Sequence, residues 1–315
     1  MTPAGREPSL EVSLGALRLK NPVLTASGTS GYGLDLLAHV PDRDISRFGG
    51  VVSKSLSLRP REGNAPTRLA ETPAGMLNSI GLQNIGVDAF LQDKLPELRR
   101  HDLAIIANIF GETVEEFAEL ARRLDGAPGL SAIELNISCP NTARGGVEFG
   151  VDPEATARVT SAVRDATRLP VIVKLSPNVT DITLIARAAA DAGADILSLV
   201  NTFFGMAVDV ERRRAILSSG SGGLSGPAIR PMAVHLLHRV ATAVKLPLIG
   251  IGGIRTGADA LEFILAGASA VEVGTATFTE PAAGIRIARE IRDYCTRHRV
   301  TEVGSLVGAL HRGEG

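Results

Sequence analysis

The chain repeats one pattern along its length: a short apolar, β-branched run, a polar or glycine-rich loop, and a longer segment with helical spacing of Ala, Leu and Arg. Such alternation predicts parallel strands joined by helical crossovers. The candidate strands are residues 23–26, 50–53, 104–108, 132–136, 171–175, 196–200, 248–250 and 270–273. Eight strands favour a closed (β/α)8 TIM barrel over an open sheet. The length suits a single domain, residues 1–315, with insertions.

The segments between the strands carry start signals and periodicity typical of helices. The predicted helices are residues 113–124, 152–167, 181–192, 228–244, 256–266 and 282–297. Asp152 and Pro153 suit the N-cap and the first helical position of one of them. Before the first strand, residues 10–14 and 17–19 flank Gly15 and predict an N-terminal β-hairpin that plugs one end of the barrel.

Three connections are too long to be plain barrel loops, namely residues 56–84, 138–150 and 202–226. Each of them follows a predicted strand. We therefore expect long insertions on the C-terminal face of the barrel, where the active sites of such barrels lie.

Composition excludes several classes of function. A net charge of −1 without a Lys/Arg run argues against nucleic-acid binding, which depends on phosphate neutralisation. No apolar run is long enough for a signal peptide or a membrane span, so we expect no membrane association. The two cysteines, Cys139 and Cys295, form no disulfide framework and no metal cluster, which favours a reducing cytoplasm and no bound metal.

Two glycine-rich turns follow the last two predicted strands, at residues 250–254 and 273–277. Loops in these positions of a barrel commonly bind phosphate, because glycine lets backbone N–H groups approach the oxygens. The alternative is that they are ordinary tight turns between strand and helix. Their joint occurrence favours a phosphate site.

Lys54 and Lys174 each end a predicted strand, so each ammonium is predicted to point into the barrel mouth and pair with an anion. A solvated strand-end lysine is the simpler explanation for either one alone. Lys174 also has the position of a Schiff-base lysine. Asparagines recur at the same face, and this favours a planar polar heterocycle as ligand; they are Asn78, Asn108, Asn136, Asn141 and Asn201.

Cys139 follows the strand at 132–136, in a loop with Pro140, Gly145 and Gly146. Packing would explain an average cysteine, but a thiol at a strand end in such a loop is a candidate general base. Cys295 lies within the last predicted helix, and we interpret it as structural.

Two motifs carry a resemblance to a known family. Residues 136–141 read Asn-Ile-Ser-Cys-Pro-Asn, and residues 78–84 read Asn-Ser-Ile-Gly-Leu-Gln-Asn. Together with residues 21–23 and the glycine turns, they closely resemble class 1 dihydroorotate dehydrogenases, and more specifically the FMN-containing catalytic subunit of class 1B. The resemblance extends over nearly the whole chain.

The resemblance implies an FMN site and a dihydroorotate site. FMN contacts are implied at Ala26, Ser27, Gly28, Lys54, Ser55, Asn108, Asn136, Lys174 and Val200, with Gly226, Gly252, Gly253, Gly274 and Thr275 at the phosphate end. Substrate contacts are implied at Lys54, Asn78, Ser79, Ile80, Gly81, Leu82, Asn136, Asn141, Asn201 and Thr202.

The implied reaction oxidises dihydroorotate to orotate in pyrimidine biosynthesis. Cys139 would take the C5 proton, a hydride would leave C6 for flavin N5, and Lys174 would stabilise negative charge at the N1/O2 edge of the flavin. In class 1B the electrons reach NAD⁺ through a partner subunit with FAD and a [2Fe–2S] cluster, so a homodimer core within a heterotetramer is expected.

Other functions stay open at this point. One is a fumarate-using class 1A enzyme. Another is a dihydropyrimidine dehydrogenase or tRNA dihydrouridine synthase, although the first usually has His where this chain has Asn141 and the second should be basic. The last are a flavin-free lyase that uses Lys174 as an imine, and a barrel that serves only for binding.

Overall fold

A computed structural model describes residues 7–138 and 149–310 and contains a closed barrel of eight parallel strands. Numbered 1 to 8 in chain order, they are Val23–Thr25, Gly50–Val52, Ala104–Ile109, Ala132–Asn136, Val171–Lys174, Ile196–Leu199, Leu248–Ile251 and Ala270–Val273. Each strand pairs with the next, and strand 8 closes the barrel on strand 1. The predicted TIM barrel is confirmed, and no predicted strand end is wrong by more than one residue.

The strands are almost continuously apolar because both of their faces are buried. One face fills the barrel and the other lies beneath the helices, as is usual for parallel sheets. Every position of strands 1, 2, 3, 5, 6, 7 and 8 is buried. A charged residue inside such a strand therefore needs a partner within the protein.

The six predicted helices are present, and four of them begin at a residue whose side chain caps the helix. They are Val114–Leu124, Pro153–Ala166, Ile182–Asp191, Arg230–Ala243, Gly257–Ala266 and Ala283–Arg297. Thr113, Asp152, Asp181 and Thr256 each accept a backbone N–H at the N-cap. The helix expected from residue 228 begins later, because Pro227–Ile229 forms a 3₁₀ turn first. No helix of the described residues is both long and apolar enough to cross a bilayer.

One helical crossover was not predicted. Between strands 2 and 3 the chain forms Val87–Ala89, a π-helical turn at Phe90–Lys94, and Leu95–Leu98. The connection between strands 1 and 2 contains only short 3₁₀ turns, at Leu34–Leu36, Pro41–Arg43 and Ile45–Arg47.

The long connections after strands 2 and 6 form a sheet of their own. Its four antiparallel strands lie in the order Phe203–Gly205, Gly222–Ser225, Gly75–Asn78 and Leu69–Thr72. A two-stranded ribbon, Val208–Asp209 with Arg214–Ala215, extends from it. Insertions on the C-terminal face are confirmed, but these two are structured rather than simple loops. The third, residues 138–150, falls mostly outside the described residues.

The N-terminal hairpin is confirmed as Val12–Leu14 paired with Leu17–Leu19. Leu14, Leu17 and Leu19 are buried and belong to the same hydrophobic core as the barrel strands. Lys20, just after the hairpin, forms an ion pair of 2.7 Å with Asp102, just before strand 3. The hairpin therefore lies at the N-terminal end of the barrel.

Thr256 and Asp259 form a capping box that fixes the helix after strand 7. The Thr256 hydroxyl accepts the Asp259 N–H at 3.2 Å, and the Asp259 carboxylate accepts the Thr256 N–H at 2.9 Å. We expect Thr256→Ala to lower the free energy of unfolding by about 1 kcal/mol in urea denaturation. Thr296→Ala, on the exposed face of the last helix, is the control and should change it by less than about 0.5 kcal/mol. Equal values for the two variants would contradict a capping role.

Candidate active site

A row of hydrogen-bonded polar side chains crosses the C-terminal ends of four strands. The Ser55 hydroxyl donates to Asn108 Oδ1 at 2.5 Å, and Asn136 Nδ2 donates to Ser55 Oγ at 3.1 Å. Asn201 Nδ2 in turn donates to Asn136 Oδ1 at 3.2 Å. The strand order brings these residues together, because strands 2, 3 and 4 are neighbours and strand 6 follows strand 5. The row presents fixed amide donors and acceptors at the barrel mouth.

The insertion sheet carries a second group of predicted residues to the same opening. Asn201 Oδ1 accepts the N–H of Thr202 at 2.8 Å, and Thr202 packs against Gly223 so closely that a side chain there would clash with its hydroxyl. Asn78 Nδ2 donates to the Gly223 carbonyl at 3.2 Å. Asn78 is therefore brought next to Asn201 and Thr202, although more than a hundred residues of chain separate it from them.

The segment after Asn78 turns sharply. Gly81 and Leu82 both have positive φ, at 72° and 57°. The buried Asn84 holds the turn by donating to the Leu82 carbonyl at 2.8 Å. Ser79, Ile80, Gly81 and Leu82 stay half-buried, and so this turn forms one wall of the opening.

Lys54 follows strand 2 and is half-buried. It forms no ion pair with any carboxylate of residues 7–138 and 149–310. Burial, with the nearby positive charge of Arg68, lowers the pKa of the Lys54 ammonium. An ammonium without a carboxylate partner at this position favours an anionic ligand, as the sequence predicts.

Lys174 differs from the sequence expectation. Its Nζ lies 3.3 Å from Glu134 Oε1 and 3.1 Å from Glu272 Oε2, so two carboxylates of the protein are anionic partners of this ammonium. Burial works against its charge, but the two carboxylates outweigh burial and raise the pKa of Lys174. Lys174 Nζ also lies 3.4 Å from the hydroxyl of Ser27, in the loop after strand 1. The side chain thus connects the barrel interior with its mouth.

The predicted phosphate residues lie around one cradle. A side chain on Gly253, where φ is 71°, would come within 2.8 Å of the Gly226 carbonyl and 3.0 Å of the Arg230 N–H nitrogen. Arg230 begins a helix of 14 residues, so a helix N-terminus contributes positive potential here. Thr275 donates its hydroxyl to Ser225 at 2.8 Å, and Gly274 packs against Ala26. Gly252 precedes Gly253 in the same turn.

Of the remaining predicted residues, the structure describes Val200 and Cys295 but not Cys139 and Asn141. Val200 is buried, and its N–H donates to the Ile251 carbonyl at 3.0 Å, next to the glycine turn. Cys139 and Asn141 fall outside the described residues, so their placement stays a prediction. Cys295 is a free, buried thiol in the helix Ala283–Arg297, consistent with a structural residue.

Comparison with known proteins agrees with this geometry. The sequence model of the dihydroorotate dehydrogenase family matches residues 9–294, which include all eight barrel strands. The chain belongs to the dihydroorotate dehydrogenase family.

Similar members of the dihydroorotate dehydrogenase family carry a more specific name. The chain is 54% identical over 305 residues to the dihydroorotate dehydrogenase B (NAD(+)), catalytic subunit, of Citrifermentans bemidjiense, covering 97% of this chain and 99% of that protein. It is 55% identical over 304 residues to the protein of the same name from Desulforudis audaxviator, covering 96% and 98%. These matches confirm the resemblance to the class 1B catalytic subunit.

Three polar residues next to the candidate site could have been found in the sequence but were missed. Glu134, Ser198 and Glu272 lie inside strands 4, 6 and 8 and are almost completely buried. A usable signal was present, since a glutamate in the middle of a buried apolar strand needs a partner inside the protein. In strand 4, Glu134 and Asn136 are two residues apart, so both point to the same face.

Proposed function

We propose that this chain oxidises dihydroorotate to orotate in pyrimidine (UMP) biosynthesis, with FMN bound in the barrel mouth and NAD⁺ as the final acceptor through a partner subunit. The observation that carries the proposal is the hydrogen-bonded row of Ser55, Asn108, Asn136 and Asn201 at the strand ends of a chain of this family. The relatives named as catalytic subunits of an NAD⁺-linked enzyme support the choice of acceptor. Residues 1–315 would act as one barrel domain.

The residues at the mouth fit FMN. Four of the five residues of the cradle, Gly226, Gly252, Gly253 and Gly274, are glycines, the fifth is Thr275 with its hydroxyl, and the cradle adjoins a helix N-terminus, a combination that suits a phosphate. The other proposed contacts are Ala26, Ser27, Gly28, Lys54, Ser55, Asn108, Asn136, Lys174 and Val200. When bound, FMN would supply the hydride acceptor for the C6 position of the substrate.

The substrate contacts follow from complementarity with a pyrimidine ring that carries a carboxylate. We assign the ring edges to the amides of Asn78, Asn136 and Asn201, together with Thr202, because amides offer both donors and acceptors. The Lys54 ammonium would attract the carboxylate, and the turn from Ser79 to Leu82 would enclose it. Asn141 would complete the set. Cys139 would act as the base that takes the C5 proton.

The environment of Lys174 disfavours the imine alternative. A Schiff-base lysine must lose its proton to become a nucleophile, and enzymes achieve this by lowering its pKa. Two buried carboxylates have the opposite effect and raise the pKa of Lys174. The surroundings of Lys174 thus support an electrostatic role over a flavin-free lyase.

The electron path requires a partner. The chain has two cysteines, whereas an iron–sulfur cluster of this kind needs about four ligands, so the cluster and FAD would belong to a second subunit. The description of the relatives as catalytic subunits agrees with this. We propose a homodimer of this chain within a heterotetramer, located in the cytoplasm.

Substrate and acceptor are tested together with the purified chain. We expect it to be yellow with bound FMN and to oxidise dihydroorotate in preference to dihydrouracil. NAD⁺ reduction should occur only when the FAD and iron–sulfur subunit is added, whereas fumarate and quinone should give little turnover. Steady-state rates with each acceptor, with and without the partner, measure this.

Each alternative gives a different outcome. Preference for dihydrouracil would indicate a dihydropyrimidine dehydrogenase-like enzyme. Fumarate reduction by the chain alone would indicate class 1A. A colourless protein that does not take up FMN would contradict a flavoenzyme altogether.

A further inference from the structure

Three ionisable side chains meet inside the barrel, directly below the row of strand-end amides. Glu134, Lys174 and Glu272 come from strands 4, 5 and 8, and none is more than 4% exposed. The Lys174 ammonium lies between the two carboxyl groups, 3.3 Å from one and 3.1 Å from the other. Ser198, from strand 6, shares a layer with the two glutamates, since alternate strands of a barrel fill the same layer.

Charge balance requires a proton in this cluster. One ammonium between two ionised carboxylates would leave a net charge of −1 among side chains that are almost fully buried. Burying an uncompensated charge costs several kcal/mol per ion, and groups in this situation take up a proton instead. One of the two glutamates should therefore be a neutral acid.

Hydrogen bonding indicates which glutamate keeps its charge. Glu134 accepts from Asn108 Nδ2 at 2.5 Å, from the Ser198 hydroxyl at 3.1 Å and from Lys174. Glu272 accepts only from Lys174, and its Oε1 is buried with no partner within residues 7–138 and 149–310. Donors stabilise a carboxylate, so Glu134 is the better anion.

The pKa directions agree with this assignment. Burial opposes ionisation of Glu134, but the Lys174 charge and the hydrogen bonds outweigh it and lower the pKa of Glu134. Burial and then the negative charge of Glu134 raise the pKa of Glu272 well above its ordinary value.

We propose that Glu272 is a protonated, neutral acid that orients the Lys174 ammonium without cancelling its charge, and so acts as a positioning residue for the flavin site. The cluster is then neutral as a whole, with a single carboxylate opposite a single ammonium. Lys174 reaches Ser27 at the barrel mouth, so its charge remains available to stabilise negative charge there. An ionised Glu272 would weaken that effect. The flavin part of this inference rests on the proposed function, whereas the protonation state of Glu272 does not.

Infrared spectroscopy of the full chain tests the protonation state directly, with or without FMN. At neutral pH we expect a carbonyl stretching band of a protonated carboxylic acid that is lost in Glu272→Gln. The control Glu211→Gln, an exposed glutamate on the ribbon, should keep the band. A wild-type spectrum without the band, or a band that survives in Glu272→Gln, would overturn the proposal.

Titration of the wild-type chain gives a measurement that needs no variant. Lys174 contacts Ser27, Glu134 and Glu272, and Glu134 in turn accepts hydrogen bonds from Asn108 and Ser198. Among the side chains around Glu272 and Lys174 in these contacts, only Glu134 is ionisable. We expect the band to persist at neutral pH. Its disappearance near pH 4.5, the ordinary value for glutamate, would contradict a neutral Glu272.

The midpoint potential of bound FMN gives a second test of the charge of Glu272. Glutamine imitates a neutral acid, so Glu272→Gln should change the two-electron reduction equilibrium by less than tenfold, about 30 mV. If Glu272 were ionised, its removal beside Lys174 should shift the equilibrium more than tenfold towards reduced FMN. That result would refute the proposal. Failure of the wild-type chain to bind FMN would contradict the proposed function, while the infrared result would still decide the state of Glu272.

Discussion

Replacing Cys139 with alanine is expected to lower dihydroorotate oxidation by about 100- to 10,000-fold near neutral pH, because a positioned general base typically contributes that much. FMN should stay bound, since none of the proposed flavin contacts is in the loop that carries Cys139. Cys139→Ser should also lose most of the rate at neutral pH, because a serine hydroxyl is a far weaker acid than a thiol. Single-turnover reduction of bound FMN by dihydroorotate measures the effect.

The second cysteine provides a matched control. Cys295 is fully buried on the helix Ala283–Arg297, away from the strand ends, so Cys295→Ala should keep its turnover within about twofold of the wild type while it loses some stability. An unchanged rate in Cys139→Ala would remove this thiol from the mechanism. A loss of FMN from the same variant would indicate a binding role instead of proton transfer.

The barrel itself could be predicted because its signal is local. Each strand is a short run of β-branched residues buried on both faces, and most helices begin at a side chain that caps them, such as Thr113 or Asp152. These are properties of a few neighbouring residues. They do not depend on which distant segments meet, so periodicity and capping residues were enough.

The missed elements depend on context that a local pattern does not contain. The crossover helix after strand 2 contains Pro96, and proline is normally excluded from the interior of a helix. The structure accommodates it by a π-helical turn at Phe90–Lys94, after which Pro96 lies in the first turn of Leu95–Leu98. In the insertion sheet, the glycines of Gly222–Ser225 have low strand propensity, and pairing with Gly75–Asn78 creates the strand.

In the candidate site, too, some features could be predicted from the local sequence and others could not. Strand-end residues such as Asn136 and Lys54 could be located from the sequence, because the carboxyl ends of all barrel strands meet at one face. The partners of Lys174 could not. Glu134 and Glu272 lie on strands at different places around the barrel, and only closure of the sheet brings their carboxyl groups to one ammonium.

Removing the charge of Lys174 should destabilise the protein strongly. We expect Lys174→Met to lower the free energy of unfolding at pH 7 by about 3–5 kcal/mol, because Glu134 would remain as an uncompensated buried charge. The control is Lys20→Met. Its ion pair with Asp102 is shorter, at 2.7 Å, but Asp102 is almost fully exposed, so about 1 kcal/mol or less should be lost. Urea denaturation of the two variants compares them directly.

The free energy of unfolding that is lost in Lys174→Met should depend on pH, and the direction of this dependence follows from proton linkage. In the wild type the lowered pKa of Glu134 contributes stability above its ordinary value of 4.5, and this contribution is lost as the pH falls below that value. Without Lys174, burial is the largest influence left and raises the pKa of Glu134, so the variant is stabilised by protonation as the pH falls. The difference between wild type and variant should therefore shrink from pH 7 towards pH 4.

A second substitution distinguishes charge from packing as the cause. Adding Glu134→Gln to Lys174→Met removes the uncompensated carboxylate, so the double variant should be more stable at pH 7 than Lys174→Met alone. If the loss came from packing, the second substitution would add to it and the difference from wild type would not vary with pH. A Lys174→Met variant within about 1 kcal/mol of the wild type at pH 7 would mean that Glu134 is already protonated in the native barrel.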